Sequence, residues 1–302
     1  MVGQDILIGM QPLVLFTIFS IQTMKYLLLL LYVMILSSCN KIYYYPDKDL
    51  GKPQPLFLAH AGGGNCGFQS NTLKAAQYGL QHFDGIELDI QMSKNNTLWL
   101  AHDPELPAYG KFVSICFRSA ENSYIDSLND CLPAENRISK LEEVFSYMAA
   151  EYALKFVSLD VKAWSPCNGS NYNILRDMNI LADQIIKLKN KYHLMHLMVE
   201  SETADFLNYL KENSSGIECY LTTMGDFERG MGVTLNRKLD GISFKYNYKE
   251  VISANHVRML HKKGIKIQTW TIDSEEDLKL VHSFSPDFIQ TDNIDYKKSV
   301  TE

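Results

Sequence analysis

From residue 56 to residue 291 the chain alternates short apolar runs with amphipathic segments of helical period. The apolar runs fall at 56–60, 85–91, 156–161, 195–199, 218–221, 241–244, 265–270 and 287–290. They are too short for buried helices and read as strands. Between them, residues 72–80, 140–153, 174–191, 203–213, 251–263 and 275–284 place apolar side chains along one helical face. Eight strands alternating with helices in ~250 residues predict an α/β fold, a parallel (β/α)8 TIM barrel. A doubly wound open sheet is the alternative that the same alternation allows. A returning run at 98–102 predicts a β-hairpin extension of the second strand. The stretch 103–140 is too long for a βα loop and reads as one insertion, of the kind that serves as a functional loop or lid.

The N-terminus follows a different pattern. Residues 12–36 are almost wholly apolar, with Lys25 their one charge. A single membrane helix across this stretch would have to include Gln22-Thr23-Met24-Lys25. A start at Met24 is the better parse: Lys25 is the positive region, 26–36 the apolar region, and Leu36-Ser37-Ser38-Cys39 the cleavage site. Leu36-Ser37-Ser38-Cys39 resembles the bacterial lipobox, which implies lipidation of Cys39 and a place in the bacterial cell envelope, on the membrane. The expected organisation is therefore a signal peptide at 1–38, a proline-containing tether at 39–54 and a barrel domain at 55–302.

Composition now narrows the classes. Apolar residues make up 46% and charged residues 21%, as in globular proteins, although part of the apolar share belongs to the export segment. A net charge of −6 without a basic run argues against nucleic-acid binding. Six cysteines without a C-x-x-C pair offer neither a disulfide framework nor a zinc site. With Cys39 set aside an odd number remains, and Cys116 and Cys131, both in the insertion, are the expected pair.

Candidate chemistry gathers at the C-terminal ends of the strands, the active face of a barrel. His60 ends the first strand. Glu87 and Asp89 share one face near the end of the second. Asp160 and Lys162 stand likewise near the end of the third main strand. If Asn95-Asn96 forms a two-residue turn, the hairpin sets His102 opposite Asp89. Three carboxylates without a thiolate suit a hard divalent cation, Ca2+ or Mg2+. Two flanking histidines suit general acid–base work on a phosphate ester, with Lys162 neutralising developing charge. Lys245 after the sixth strand reaches the phosphate or is an ordinary surface lysine, and Trp270 walls the substrate pocket or fills the core. Gly62-Gly63-Gly64 is a flexible turn that could face a phosphate. Cys66 lies near the site without a dedicated base. His82, His193, His196, His256, His261 and His282 read as surface or core residues.

The chain resembles the glycerophosphodiester phosphodiesterase family of the PLC-like phosphodiesterases. The likeness rests on Leu58-Ala59-His60-Ala61-Gly62-Gly63, Ser70-Asn71-Thr72-Leu73, Glu87-Leu88-Asp89 and Leu100-Ala101-His102-Asp103. It continues through Leu141-Glu142-Glu143, Leu159-Asp160-Val161-Lys162, Trp270-Thr271-Ile272 and Gln290-Thr291-Asp292. It implies a barrel that cleaves small phosphodiesters to an alcohol and a phosphomonoester with a divalent metal. His60 and His102 would be the acid–base pair, Glu87, Asp89 and Asp160 the metal ligands, and Lys162 the positively charged residue beside them. A hydroxyl next to the phosphate would be the internal nucleophile. Three positions depart from the family pattern. Ala61 stands for the usual Arg, Ser70 for Glu, and Asp160 for the Glu of Glu-x-Lys. The competing expectations are a catalytically silent lipoprotein that binds a phosphorylated ligand, and a phospholipase acting on intact lipid head groups. The leaving alcohol, the metal and the oligomeric state stay open.

Overall fold

The computed structural model describes residues 54–161, 174–246, 252 and 254–293. Contacts divide the chain into Met1–Lys52 and Pro53–Glu302, and all described residues belong to the second unit. Cys39 and Lys162 lie outside the described residues. Among the described residues no helix is long and apolar enough to cross a membrane.

The strands run β1 (Leu56–Ala59), β2 (Gly85–Met92), β3 (Leu98–Leu100), β4 (Glu105–Leu106), β5 (Ile115–Cys116), β6 (Phe156–Val161), β7 (Leu197–Ser201), β8 (Ile217–Thr223), β9 (Gly241–Lys245), β10 (Lys266–Trp270) and β11 (Phe288–Thr291). The helices are α1 (Leu73–His82), α2 (Asn122–Asn129), α3 (Leu141–Glu151), α4 (Ile174–Tyr192), α5 (Ala204–Asn213), α6 (Phe227–Arg237), α7 (Ala254–Lys262) and α8 (Glu275–Phe284). Parallel pairing runs β1-β11-β10-β9-β8-β7-β6-β2, and a direct β1–β2 pairing closes the ring. The expected (β/α)8 barrel is therefore present, with β3 added antiparallel to the outside of β2.

Every residue of β2 is buried, yet the strand carries Glu87, Asp89 and Gln91. Alternation explains this. Ile86, Leu88 and Ile90 face outward and join the main core with Ala76 and Leu80 of α1 and Leu141 and Val144 of α3. The interleaved residues point into the barrel. Leu58, Met198, Tyr220 and Phe288 pack together as an apolar layer of that interior. Gly241 makes room there, since a Cβ on it would meet the Tyr220 ring at 2.2 Å. The interior also holds Ser158, Glu200, Ser243, Gln268 and Gln290, all buried and hydrogen-bonded to one another. The barrel is thus apolar at one level and polar toward its active face.

The hairpin differs from expectation by one residue. Ile90 pairs with Leu100, Gln91 with Trp99 and Met92 with Leu98, so Ala101, not His102, is opposite Asp89. The loop holds three residues between Ser93 and Thr97, with Asn96 at φ 60°. Asn95 is held outside the ladder, its side chain donating to Glu121 and accepting from the Asn122 amide.

The insertion is folded rather than loose. β4 and β5 pair antiparallel, and Trp99, Leu106, Phe117, Ile125 and Leu128 form a separate core beneath α2. Arg118 fastens it to the barrel, donating to Ser93 O at 2.6 Å and to Asp177 of α4 at 2.7 Å. Truncating either partner would leave a largely buried charge unmatched. The Cys116–Cys131 pairing is not formed: Cys131 is a free thiol, while Cys116 is disulfide-bonded.

Candidate active site

β1 ends at Ala59, and the chain turns at once through His60–Gly62. His60 Nδ1 lies 3.0 Å from Asp292 Oδ1, just past β11. A carboxylate can only accept, so Nδ1 carries the proton and Nε2 is left for other work. The glycine loop fixes this pairing. Gly64 N–H donates to His60 O, Asn65 N–H donates to Asp292 O, and a Cβ on Gly64 would strike the Asp292 backbone at 2.9 Å. Gly62-Gly63-Gly64 therefore braces the histidine. Burial by itself would push the imidazole down. The Asp292 hydrogen bond and the attraction of Glu87, Asp292 and Asp89 outweigh it and raise His60 to about 9.

Ala61 stands at φ 48° and donates its N–H to Glu87 Oε2 at 2.9 Å. The chain thus supplies Glu87 with a backbone donor at the position where the family has Arg. Asn71, at φ 57°, holds the second carboxylate from both sides. Its Nδ2 donates to Asp89 Oδ2 at 2.8 Å, and its Oδ1 accepts from Asp89 N at 3.0 Å. Thr72 beside it caps α1, its hydroxyl accepting from Ala75 N.

One carboxylate oxygen from each of Glu87, Asp89 and Asp160 lies within 4.8 Å of the others. β2 and β6 pair in a register that sets Asp89 beside Asp160. Glu87 and Asp89 are only 2% and 4% exposed. Burial first, then the like charge of Asp89, push the Glu87 carboxyl well above its usual range, and Glu200 and Asp160 add to it. Two buried carboxylates and a partly buried third, all hard oxygen donors, fit a divalent cation of the calcium or magnesium kind. Asn71→Gly tests its support while keeping the left-handed backbone easy. It is expected to weaken Ca2+ or Mg2+ binding about 10–100-fold, read by calorimetric titration.

His102 follows β3 and is mostly exposed. Its Nδ1 pairs with Asp103 Oδ1 at 2.9 Å, and its backbone carbonyl accepts from Gln91. It shares a cavity of about 420 Å³ with Ser70, Asn71, Asp103, Glu105 and insertion residues Phe117 and Ile138. The insertion therefore walls the cavity that His102 lines, which reaches Asn71 but is not lined by His60, Glu87, Asp89 or Asp160. Lys245 and Trp270, at the ends of β9 and β10, meet: Lys245 Nζ lies 5.8 Å from the Trp270 ring centroid.

Two residues beyond those expected belong to the site. Asp292 orients His60 across the β1–β11 pair. Glu200, 2% exposed, gathers Ser158, Ser243, Gln268 and Gln290 around its carboxylate. Burial raises its carboxyl, and those four hydrogen bonds oppose the rise without cancelling it. Cys66 is a half-buried free thiol. Of the other histidines, His261 pairs with Asp287, His282 with Gln54, and His196 stacks on Phe156.

The family model described as "Glycerophosphoryl diester phosphodiesterase family" matches residues 60–296. A glycerophosphodiester phosphodiesterase from Thermotoga maritima is 20% identical, with a TM-score of 0.63 over 82% of this chain and 98% of that one. One from Parabacteroides distasonis is 18% identical, with a TM-score of 0.65 over 83% and 98%. A phosphodiesterase from Oleispira antarctica, in complex with the product sn-glycerol-3-phosphate, is 15% identical, with a TM-score of 0.66 over 82% and 98%. At these identities the structures speak for the fold. No curated protein matches the chain.

Proposed function

Because this chain belongs to the glycerophosphoryl diester phosphodiesterase family and is a phosphoric diester hydrolase, we propose that it cleaves small glycerophosphodiesters by metal-dependent catalysis with two histidines. The observation that carries this reading is the convergence of Glu87, Asp89 and Asp160 beside a His60 held by Asp292. The product in the Oleispira antarctica relative supports a glycerol phosphate product here.

Glu87, Asp89 and Asp160 would hold the cation. Bound there, calcium or magnesium supplies electrophilic stabilisation of phosphoryl oxygens as negative charge builds. The histidines divide the proton transfers. His60, its Nδ1–H held by Asp292, would carry a second proton on Nε2 and donate it to the departing alkoxide, releasing the alcohol. His102, its Nδ1 held by Asp103, takes the proton from the substrate hydroxyl next to the phosphate. That hydroxyl oxygen bonds to phosphorus as the ester bond breaks, leaving a cyclic phosphodiester. Water then opens the ring with the proton roles reversed, giving the phosphomonoester. Both histidines are oriented the same way, through Nδ1 to an aspartate. Lys245 and Trp270 line the substrate side, and Lys162 belongs to the same proposal by its place two residues after Asp160.

The Ala61 amide donates to Glu87 Oε2, so the absence of Arg at this position does not leave that oxygen without a donor. The decisive assay measures release of glycerol phosphate from glycerophosphodiesters with Ca2+ or Mg2+. EDTA is expected to abolish it and added cation to restore it. No turnover on any diester, wild type and variants alike, would return the silent-binder reading. Cleavage confined to intact lipids would favour a phospholipase.

For localisation the proposal is a lipid anchor at Cys39, placing the enzyme on a membrane of the bacterial cell envelope. Cys39→Ser expressed in a bacterium is expected to move from the membrane fraction to the soluble one. Unchanged retention would instead indicate an uncleaved apolar anchor.

A further inference from the structure

Trp270 has a hydrogen-bonded support that reaches down into the barrel. Its indole Nε1 donates to Ser243 Oγ at 3.0 Å. The same oxygen accepts from Gln268 Nε2 at 3.2 Å, which fills both lone pairs of the hydroxyl. The Ser243 proton is then committed to Glu200 Oε2, 2.5 Å away. The other oxygen, Oε1, accepts from Ser158 Oγ at 2.9 Å, Gln268 Nε2 at 2.9 Å and Gln290 Nε2 at 2.8 Å. Each of these partners donates to Glu200. These partners come from β6, β9, β10 and β11, so one buried carboxylate ties four barrel strands together below the site.

We propose that Glu200 is a positioning residue that orients the Trp270 indole for substrate through Ser243. The ring is half-buried, its N–H points down into this network, and Lys245 Nζ stands over its face. A network of this kind holds its geometry only if each member keeps its donor or acceptor role. Glu200→Gln is nearly isosteric but cannot do so. Its NH2 must face either Ser243, whose lone pairs are already occupied, or the three donors at the Oε1 position. Either way a donor meets a donor, and the Ser243–Trp270 link loosens. Ser243→Ala removes the link directly with a smaller change to the barrel. Trp270→Phe keeps a ring and deletes its N–H.

The kinetic consequence rests on the proposed phosphodiesterase reading; the placement of the ring does not, and the test separates them. The first measurement is the indole N–H signal of Trp270 in the 15N-labelled full chain, assigned by its loss in Trp270→Phe. In Glu200→Gln and Ser243→Ala it is expected to shift, and its hydrogen exchange to quicken at least roughly tenfold. The second is steady-state hydrolysis of a glycerophosphodiester. Both variants are expected to raise KM about 5–10-fold, with kcat within about 2-fold. Glu200→Gln combined with Trp270→Phe should be no worse than Trp270→Phe alone. An unmoved indole signal in Ser243→Ala overturns the proposal, as do additive effects on KM in the double variant. Should Glu200→Gln not fold, Ser243→Ala carries both measurements. A wild type without hydrolytic activity would sink the phosphodiesterase reading, while the indole signal would still decide the role of Glu200.

Discussion

His60→Ala is expected to lower kcat on a glycerophosphodiester by about 10²–10⁴-fold, the range of a lost general acid. KM should change little, because the ring is proposed to act on a proton rather than to anchor the substrate. The pairing with Asp292 makes the prediction sharper. In the metal-free protein His60 should titrate near 9, followed by imidazole NMR, and it should fall when Ca2+ or Mg2+ is added. Glu87 and Asp89 are two of the charges that raise it, and a cation between them would offset their pull. Asp292→Asn keeps an acceptor for Nδ1–H but removes the carboxylate charge behind it, so the ring should titrate lower even without metal. The sign for stability follows from a folded value above the ordinary 6.5. The metal-free fold gains most from this group below 6.5 and loses that gain as pH rises through about 9. A His60→Ala protein with wild-type kcat would remove His60 from the mechanism.

The architecture was readable because outward-facing strand residues are apolar wherever a helix covers them. β6 has the bounds its apolar run predicts, and Leu88 and Ile90 mark β2 despite the acids between them. β7 lies two residues later than the apolar run 195–199 predicts, because Glu200 looks like the end of a strand. It is an interior residue of a polar barrel layer, and only its donors from four other strands make that position tenable. α6 escaped notice because Gly230 and Gly232 weaken its helical signal. Gly230 has a tertiary reason, since a Cβ there would meet Thr223 at 2.1 Å. Within the site, Glu87, Asp89, Asp160 and His60 were legible as polar groups at strand ends. Asp292 was not assigned a role, because ring closure alone brings it to His60 from 232 residues away. The position of His102 was missed by one register step. Glu121 and Asn122 draw Asn95 out of the turn, and no local rule contains that pull.

Glu87→Gln is expected to move activity and metal-free stability in opposite directions. Glu87 is one of three carboxylates within 4.8 Å and is 2% exposed. Loss of a direct ligand should weaken Ca2+ or Mg2+ binding at least about 100-fold, the upper end of what supporting contacts contribute. Turnover at fixed cation should fall in step. Without metal, however, burial and Asp89 hold the Glu87 carboxyl above its ordinary 4.5, so the folded chain binds that proton more tightly than the unfolded one. Stability from this group is therefore full below 4.5 and declines as pH rises through the elevated value. Glutamine removes that decline and can still accept from the Ala61 amide. At pH 8 in EDTA, Glu87→Gln should melt at least about 2 °C above wild type, the shift that ~1 kcal/mol produces in a domain this large. Saturating cation should raise the wild-type melting temperature and leave the variant unmoved. Equal melting temperatures in EDTA, with equal responses to calcium and magnesium, would mean that these carboxylates are satisfied by the protein itself. The proximity of three acids, two of them buried, argues otherwise: holding them together costs the empty fold, and a bound cation would offset that cost.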